Sequence, residues 1–131
     1  MVKIASLEAS KRLVPVPASI DEASRASGAV GVTTYCDGAE IEGVDHHVRS
    51  FAPGASIAED PACGSGNIAV AIHMARHCRA NRSTFSFTSE QGLEVGREAQ
   101  MHVDVSRSAV GDLAIRLGGH AVRTMEGRLL A

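Results

Sequence analysis

The sequence predicts an α+β fold: a curved, mostly antiparallel, barrel-like sheet around one buried central helix. Three observations predict it. Between Gly66 and about Asn81 the apolar period becomes helical, with Ile68, Ala71, Ile72, Ala75 and Cys78 on one stripe and Ala69, Val70 and Met74 covering the other side. A helix that is apolar all round is normally enclosed by other elements. The remaining apolar runs are short, rich in β-branched residues and separated by glycines, and a length of 131 residues is about one domain's worth, expected to span 1–131 as a single unit.

Each element follows from local chemistry. Val2 to Leu7 is short, apolar and compatible with a strand, and Leu13 to Pro17, with two prolines, is a connector. Ser19 to Ala26 reads as a short helix, with Ser19 as N-cap, Asp21 and Glu22 in the first turn and Gly28 as the stop. Ala29 to Cys36 is a strand rich in Val and Thr, followed by a turn signal at Cys36-Asp37-Gly38. Glu40 to Phe51 reads as another strand, because Ile41, Val44, His46, Val48 and Phe51 recur at nearly every second position with Gly43 as a bulge; Pro53 and Gly54 close it. The basic residues Arg76, His77, Arg79 and Arg82 suit the C-terminal end of the central helix. Thr84 to Thr88, Gln100 to Ser106, Leu113 to Leu117 and Ala121 to Met125 complete the expected strands.

Composition excludes several classes of partner. Formal charge is −2, and eleven Arg and two Lys are spread along the chain without the basic stripe that nucleic acid demands. Three cysteines without paired spacing argue against a disulfide framework and for a reducing, cytoplasmic setting. No apolar run approaches the roughly 20 residues of a membrane helix, and Val2 to Leu7 is too short for a signal peptide's core.

The chemistry concentrates at Glu59-Asp-Pro-Ala-Cys-Gly-Ser-Gly-Asn67, directly before the central helix. Gly64 and Gly66 remove Cβ atoms that would hold a ligand off the backbone and permit dihedrals that other residues avoid. The amides of 64–67, Asn67 included, are then expected to converge on one spot, where unpaired N–H groups and the helix dipole favour a carboxylate or phosphate. A thiol at Cys63 gains thiolate character there, and Asp60, before Pro61, is aimed across the mouth of the loop. Ser65 caps the helix or donates to a ligand. Spacing alone leaves a second reading equally open, in which Asp60 and Ser65 are ordinary caps and Cys63 is a small buried residue.

Arg49-Ser-Phe-Ala-Pro53, the Glu59 to Gly66 segment, Gln91-Gly-Leu-Glu-Val-Gly-Arg97, Gly118-Gly-His-Ala-Val122 and Gly127 together resemble the phenazine-biosynthesis PhzF-like family of the diaminopimelate epimerase-like fold. The resemblance covers almost the whole chain and is to the carboxy-terminal half of a two-domain protein. It implies a cofactor-independent isomerase with its active site between two similar halves. The aspartate matching Asp60 and the serine matching Ser65 line that site in the family. Cys63 departs from the threonine frequent there and matches the catalytic thiol of the related diaminopimelate epimerases and proline racemases. The family's principal acid/base, a glutamate of the amino-terminal half, has no counterpart in residues 1–52. The resemblance therefore implies a site completed by a homodimer or by a chain that supplies the amino-terminal half.

Two function classes follow. One is an isomerase or epimerase acting on a small carboxylate, with Asp60, Cys63 and Ser65 catalytic and Gly64, Gly66 and Asn67 holding the substrate, without metal or cofactor. The other is a catalytically incomplete single-domain remnant that binds a small acid or serves as an assembly module. His73 and His77, four apart on the helix, lack a third metal ligand in any motif. His46 and His47 alternate across a strand, His102 and His120 read as sheet residues, and Cys36 and Cys78 read as small core or edge residues. Arg97 reads as an ion-pair partner of Glu59 or Asp60, and no nucleotide-binding glycine motif occurs.

Overall fold

The computed structural model describes residues 1–128. Its elements, in chain order, are β1 (Val2–Lys3), α1 (Leu7–Lys11), α2 (Pro17–Ala26), β2 (Val32–Asp37), β3 (His46–Ala52), β4 (Ile57–Asp60), α3 (Gly64–His73), β5 (Thr84–Gln91), β6 (Ala99–Arg107) and β7 (Leu113–Gly119). Short 3-10 turns at Pro53–Ala55 and Leu93–Val95 and a π turn at Met74–Cys78 join them. All seven strands form one mixed sheet in the order β1-β2-β3-β5-β6-β7, with β4 beside β3.

The sheet forks at β3. Its first residues, His46 and His47, pair in parallel with Ser89 and Glu90 of β5, whereas Ser50 and Ala52 pair antiparallel with Asp60 and Ile57 of β4. Chain direction and register at that fork deliver Asp60 to the edge of the sheet directly ahead of α3. Among the described residues β1 pairs only with β2 and β7 only with β6, so the sheet is open where a barrel was expected.

Alternation decides what lies beneath α3. Tyr35, Val48, Phe87, Val103 and Val105 point at the helix and pack on Val70, Ala71, Met74 and Ala75. Fully burying a side chain of this kind stabilises by about 1.5–3 kcal/mol. The helix is not enclosed on every side: Ser65 and Ile68 are exposed, Ile68 to 37%. Ser65 and Ile68 leave one side of the first turns of α3 uncovered.

The opposite sheet face is polar. Arg49 is 4% exposed; its Nε and Nη2 donate to the two carboxylate oxygens of Glu59 at 2.8 and 2.9 Å, and its Nη1 donates to the carbonyls of Ser10 and Leu13. His47 lies between Glu90 at 2.8 Å and Glu94 at 3.0 Å, and Glu90 also accepts the amides of Glu40 and Ile41. Desolvated charges of this sort persist only when paired and hydrogen-bonded. The network ties α1 and β4 to β3, and with β4 the backbone of Asp60.

Several expectations are corrected. The helix over 17–26 starts two residues early because Pro17 occupies its first turn, where a missing N–H costs nothing; Val16 is the N-cap and Ser19 is inside. Ser6 caps a short helix, α1, that the apolar run 2–7 concealed. Residues 40–45 form a turn held by Glu90 and Thr88, so β3 begins at His46, and Gly43 takes φ 81° in that turn instead of forming a bulge. Residues 121–125, expected as a strand, are unpaired, with Val122 and Met125 86% and 88% exposed. Among the described residues no helix is long and apolar enough to cross a membrane.

Candidate active site

The loop between β4 and α3 borders a cavity of about 360 Å³ lined in part by Asp60, Cys63, Ser65, Gly66, Thr33 and Ser50. The three residues expected to be catalytic are therefore brought to one cavity. Cys63 is the N-cap of α3, and its Sγ accepts the Gly66 amide at 3.3 Å. Ser65 Oγ is 3.4 Å from the same sulfur. Asp60, the last residue of β4, accepts the Ala62 amide on Oδ1 at 3.0 Å, a local turn that leaves its other oxygen to the cavity.

The anion cradle is narrower than expected. The Gly66 amide is taken by the Cys63 sulfur and the Asn67 amide by the Cys63 carbonyl at 3.1 Å, which leaves those of Gly64 and Ser65 without an acceptor among the described residues. Neither Gly64 nor Gly66 has a positive φ. Gly66 is required by close packing: a Cβ there would lie 2.5 Å from Ser50 Oγ, 2.7 Å from Thr33 Oγ1 and 3.2 Å from Cys63 Sγ. Gly64 has room, with Leu117 at 3.7 Å as the nearest atom to such a Cβ.

Asn67, expected to hold substrate, is fully buried and serves the loop. Its amide nitrogen donates to the Cys63 carbonyl at 3.0 Å and to Gln91 Oε1 at 3.1 Å, and its oxygen accepts Ser89 Oγ at 2.6 Å. Gln91, also fully buried, donates to the Asp60 carbonyl. One chain of buried amides thus fixes the backbone at both Asp60 and Cys63, and a satisfied network of this kind rigidifies what it holds. Gly92 closes the same side with φ 84°; a Cβ there would stand 2.2 Å from the Arg97 carbonyl and 2.8 Å from that of Pro61.

Other singled-out residues lie elsewhere. Arg97 is exposed, and Glu59 pairs with Arg49 instead. His46 packs edge-on between Tyr35 and Phe87, where burial pushes its pKa down against the opposing pull of Asp37. His73 and His77 stack at 4.8 Å, and among the described residues no cluster of three His, Cys, Asp or Glu is placed to hold a metal. Cys36 is buried, with its pKa raised by burial, and Cys78 is exposed beside the Tyr35 hydroxyl. Thr33 and Ser50 were missed, although both share the strand parity of residues that face the core, Thr33 with Tyr35 and Ser50 with Val48.

Comparison with known proteins agrees with this architecture. The family model described as phenazine biosynthesis-like protein matches residues 1–127. Antisense-enhancing sequence 1 of Schizosaccharomyces pombe is 34% identical over 116 residues, covering 88% of this chain and 38% of that protein. The trans-2,3-dihydro-3-hydroxyanthranilate isomerase of Pseudomonas aeruginosa is 32% identical over 88 residues, covering 66% of this chain and 31% of that protein. Among solved structures, a PhzF-family phenazine biosynthesis protein of Bacillus anthracis superposes with a TM-score of 0.75 at 18% identity, covering 92% of this chain and 45% of that one. The chain belongs to the phenazine biosynthesis-like, or PhzF, family, and it spans less than half the length of each of these relatives.

Proposed function

We propose that this chain supplies one half of a cofactor-independent isomerase that moves a proton on a small carboxylate. The observation that carries the reading is the meeting of Cys63, Ser65 and Asp60 at one cavity at the start of α3. The free amides of Gly64 and Ser65 hold the substrate's carboxylate, and Gly64 keeps that approach clear. Cys63 and Asp60 exchange the proton at carbon, and Ser65 donates to the sulfur or to the substrate. The name of the Pseudomonas aeruginosa relative supports isomerisation of an acid as the reaction class.

A proton moved between two faces of a carbon needs a group on each face. The second group comes from another half-site, and we favour one on a second copy of this chain, its Asp60/Cys63 loop facing the first across a twofold cleft. The exposed Ser65 and Ile68 face beside the cavity is the surface such a partner covers.

Deuterium wash-in tests the reading. A panel of small carboxylates bearing an α-hydrogen is incubated with the protein in heavy water, and exchange is followed by NMR. At least one acid is expected to exchange, and Asp60→Asn and Cys63→Ser are each expected to slow it by 10²-fold or more, the order of a lost general acid or base. Binding without exchange across the panel returns the chain to the role of a non-catalytic acid-binding module.

A further inference from the structure

Thr33, Ser50 and Asp60 stand on one rung across three strands: Thr33 pairs with Ser50 between β2 and β3, and Ser50 with Asp60 between β3 and β4. All three border the cavity at the start of α3. Thr33 Oγ1 and Ser50 Oγ are 3.0 Å apart, and among the described residues neither hydroxyl has another side-chain partner. Ser50 is 3% exposed and Thr33 is half-buried, so Thr33 is the member that meets a ligand and Ser50 stands behind it.

The two hydroxyls share one hydrogen bond, which leaves the pair one free O–H and several lone pairs. Gly66 packs its backbone against them: a Cβ there would lie within 2.5 and 2.7 Å of the two hydroxyl oxygens and 3.2 Å of the Cys63 sulfur, so a ligand meets the pair from the cavity and not from between helix and sheet. The hydroxyl pair and the thiol border the same cavity, one from the sheet and one from the helix. Around them the wall is apolar, with Val32, Phe51, Ala52 and Ala69. In such a wall a ligand that offers the pair no hydrogen bond leaves it desolvated and unsatisfied, and sites of this construction reject the analogue that lacks the polar group.

We infer that Thr33 is a specificity-determining residue of this site, contacting a hydrogen-bonding substituent that the carboxylate substrate carries beside its reacting carbon, and that Ser50 positions the Thr33 hydroxyl. The inference rests on the reading above that the Gly64 and Ser65 amides hold the carboxylate. It adds a requirement to the substrate: a simple alkyl acid is a poor fit, and the same acid with a hydroxyl next to the carboxylate is a good one.

Propionate and lactate differ by that one hydroxyl and serve as probes. Each is titrated into the ¹⁵N-labelled protein, with the amide resonances of Gly64 and Ser65 as the readout of carboxylate binding and the ratio of the two dissociation constants as the readout of Thr33. Both acids are expected to shift those amides, with lactate binding about five- to tenfold tighter, the worth of one hydrogen bond. Thr33→Val keeps the shape of the strand residue and is expected to abolish the preference by weakening lactate and relieving the penalty on propionate; Thr33→Ser is expected to retain it. Ser50→Ala, with the hydroxyl of Thr33 no longer oriented, is expected to reduce the preference without touching propionate. Equal affinities in the unsubstituted protein, or a lactate preference that survives Thr33→Val, overturns the inference while the carboxylate reading stands. Failure of both acids to shift Gly64 and Ser65 overturns the two together.

Discussion

Replacing each of the two glycines of the α3 first turn by alanine separates packing from backbone freedom. Alanine is favoured over glycine in a helix by about 1 kcal/mol. At Gly64 nothing opposes that gain, because the new methyl meets only Leu117 at an ordinary 3.7 Å. At Gly66 it would stand 2.5 and 2.7 Å from the hydroxyl oxygens of Ser50 and Thr33. Those side chains turn away only by giving up their mutual hydrogen bond, worth about 1 kcal/mol, or the helix lifts off the sheet at the overpacking cost of about 1–3 kcal/mol. Gly64→Ala is therefore expected to be neutral or stabilised by up to about 1 kcal/mol, and Gly66→Ala, net of the same helix gain, destabilised by about 0–2 kcal/mol, so that the two differ by about 1–3 kcal/mol. Urea unfolding followed by circular dichroism measures both, with midpoints compared at equal slope. If Gly66→Ala unfolds at the same urea concentration as Gly64→Ala, α3 does not sit against the Thr33–Ser50 rung, and the geometry assigned to the site is wrong.

Three further outcomes are expected. Arg49→Met leaves Glu59 buried without its partner and strips the Ser10 and Leu13 carbonyls of their donor, at a cost of about 3–5 kcal/mol in unfolding free energy; a loss below about 1 kcal/mol would show that the pair is hydrated. Limited alkylation followed by peptide mapping should label Cys63 ahead of Cys78, although Cys78 is the more exposed, because only Cys63 sits at the amino end of a helix of ten residues; labelling that follows exposure alone contradicts this. Burial lowers the pKa of His46 from its ordinary value of 6.5, so the folded protein keeps the ring neutral while the unfolded chain takes up a proton. Its contribution is complete above about pH 6.5 and is lost as pH falls below it, so His46→Phe should show a smaller drop in melting temperature between pH 7 and pH 5; an unchanged drop assigns acid sensitivity to other groups.

Periodicity made the centre of this fold legible. The stripe Ala71, Ala75 with Val70 and Met74 marked α3, because burial dictates that pattern, and short β-branched runs between glycines marked β2, β5, β6 and β7. The fork at β3 was not legible. Ala58-Glu59-Asp60 has weak strand propensity and pairs because β3 turns there, while the near-alternation that runs from Ile41 and Val44 into β3 is overridden by the Glu90 carboxylate capturing the Glu40 and Ile41 amides. Both are tertiary effects that no local window contains. At the site, the Asp60, Cys63 and Ser65 cluster could be read from composition and spacing. The fate of each backbone amide could not: that the Cys63 sulfur and carbonyl take those of Gly66 and Asn67 depends on the cap conformation of one residue. Asn67 looked like a ligand group because a polar residue beside two glycines suits one; its neighbours Ser89 and Gln91 lie 22 and 24 positions away and claim it.

The position of a bound carboxylate tests the central claim most directly. Crystals of the protein grown without anions and soaked in a small carboxylate are expected to show it at the start of α3, accepting hydrogen bonds from the Gly64 and Ser65 amides with Cys63 and Asp60 at its side. An empty α3 terminus at saturating ligand, or a carboxylate bound only at a surface remote from Cys63, would contradict the account.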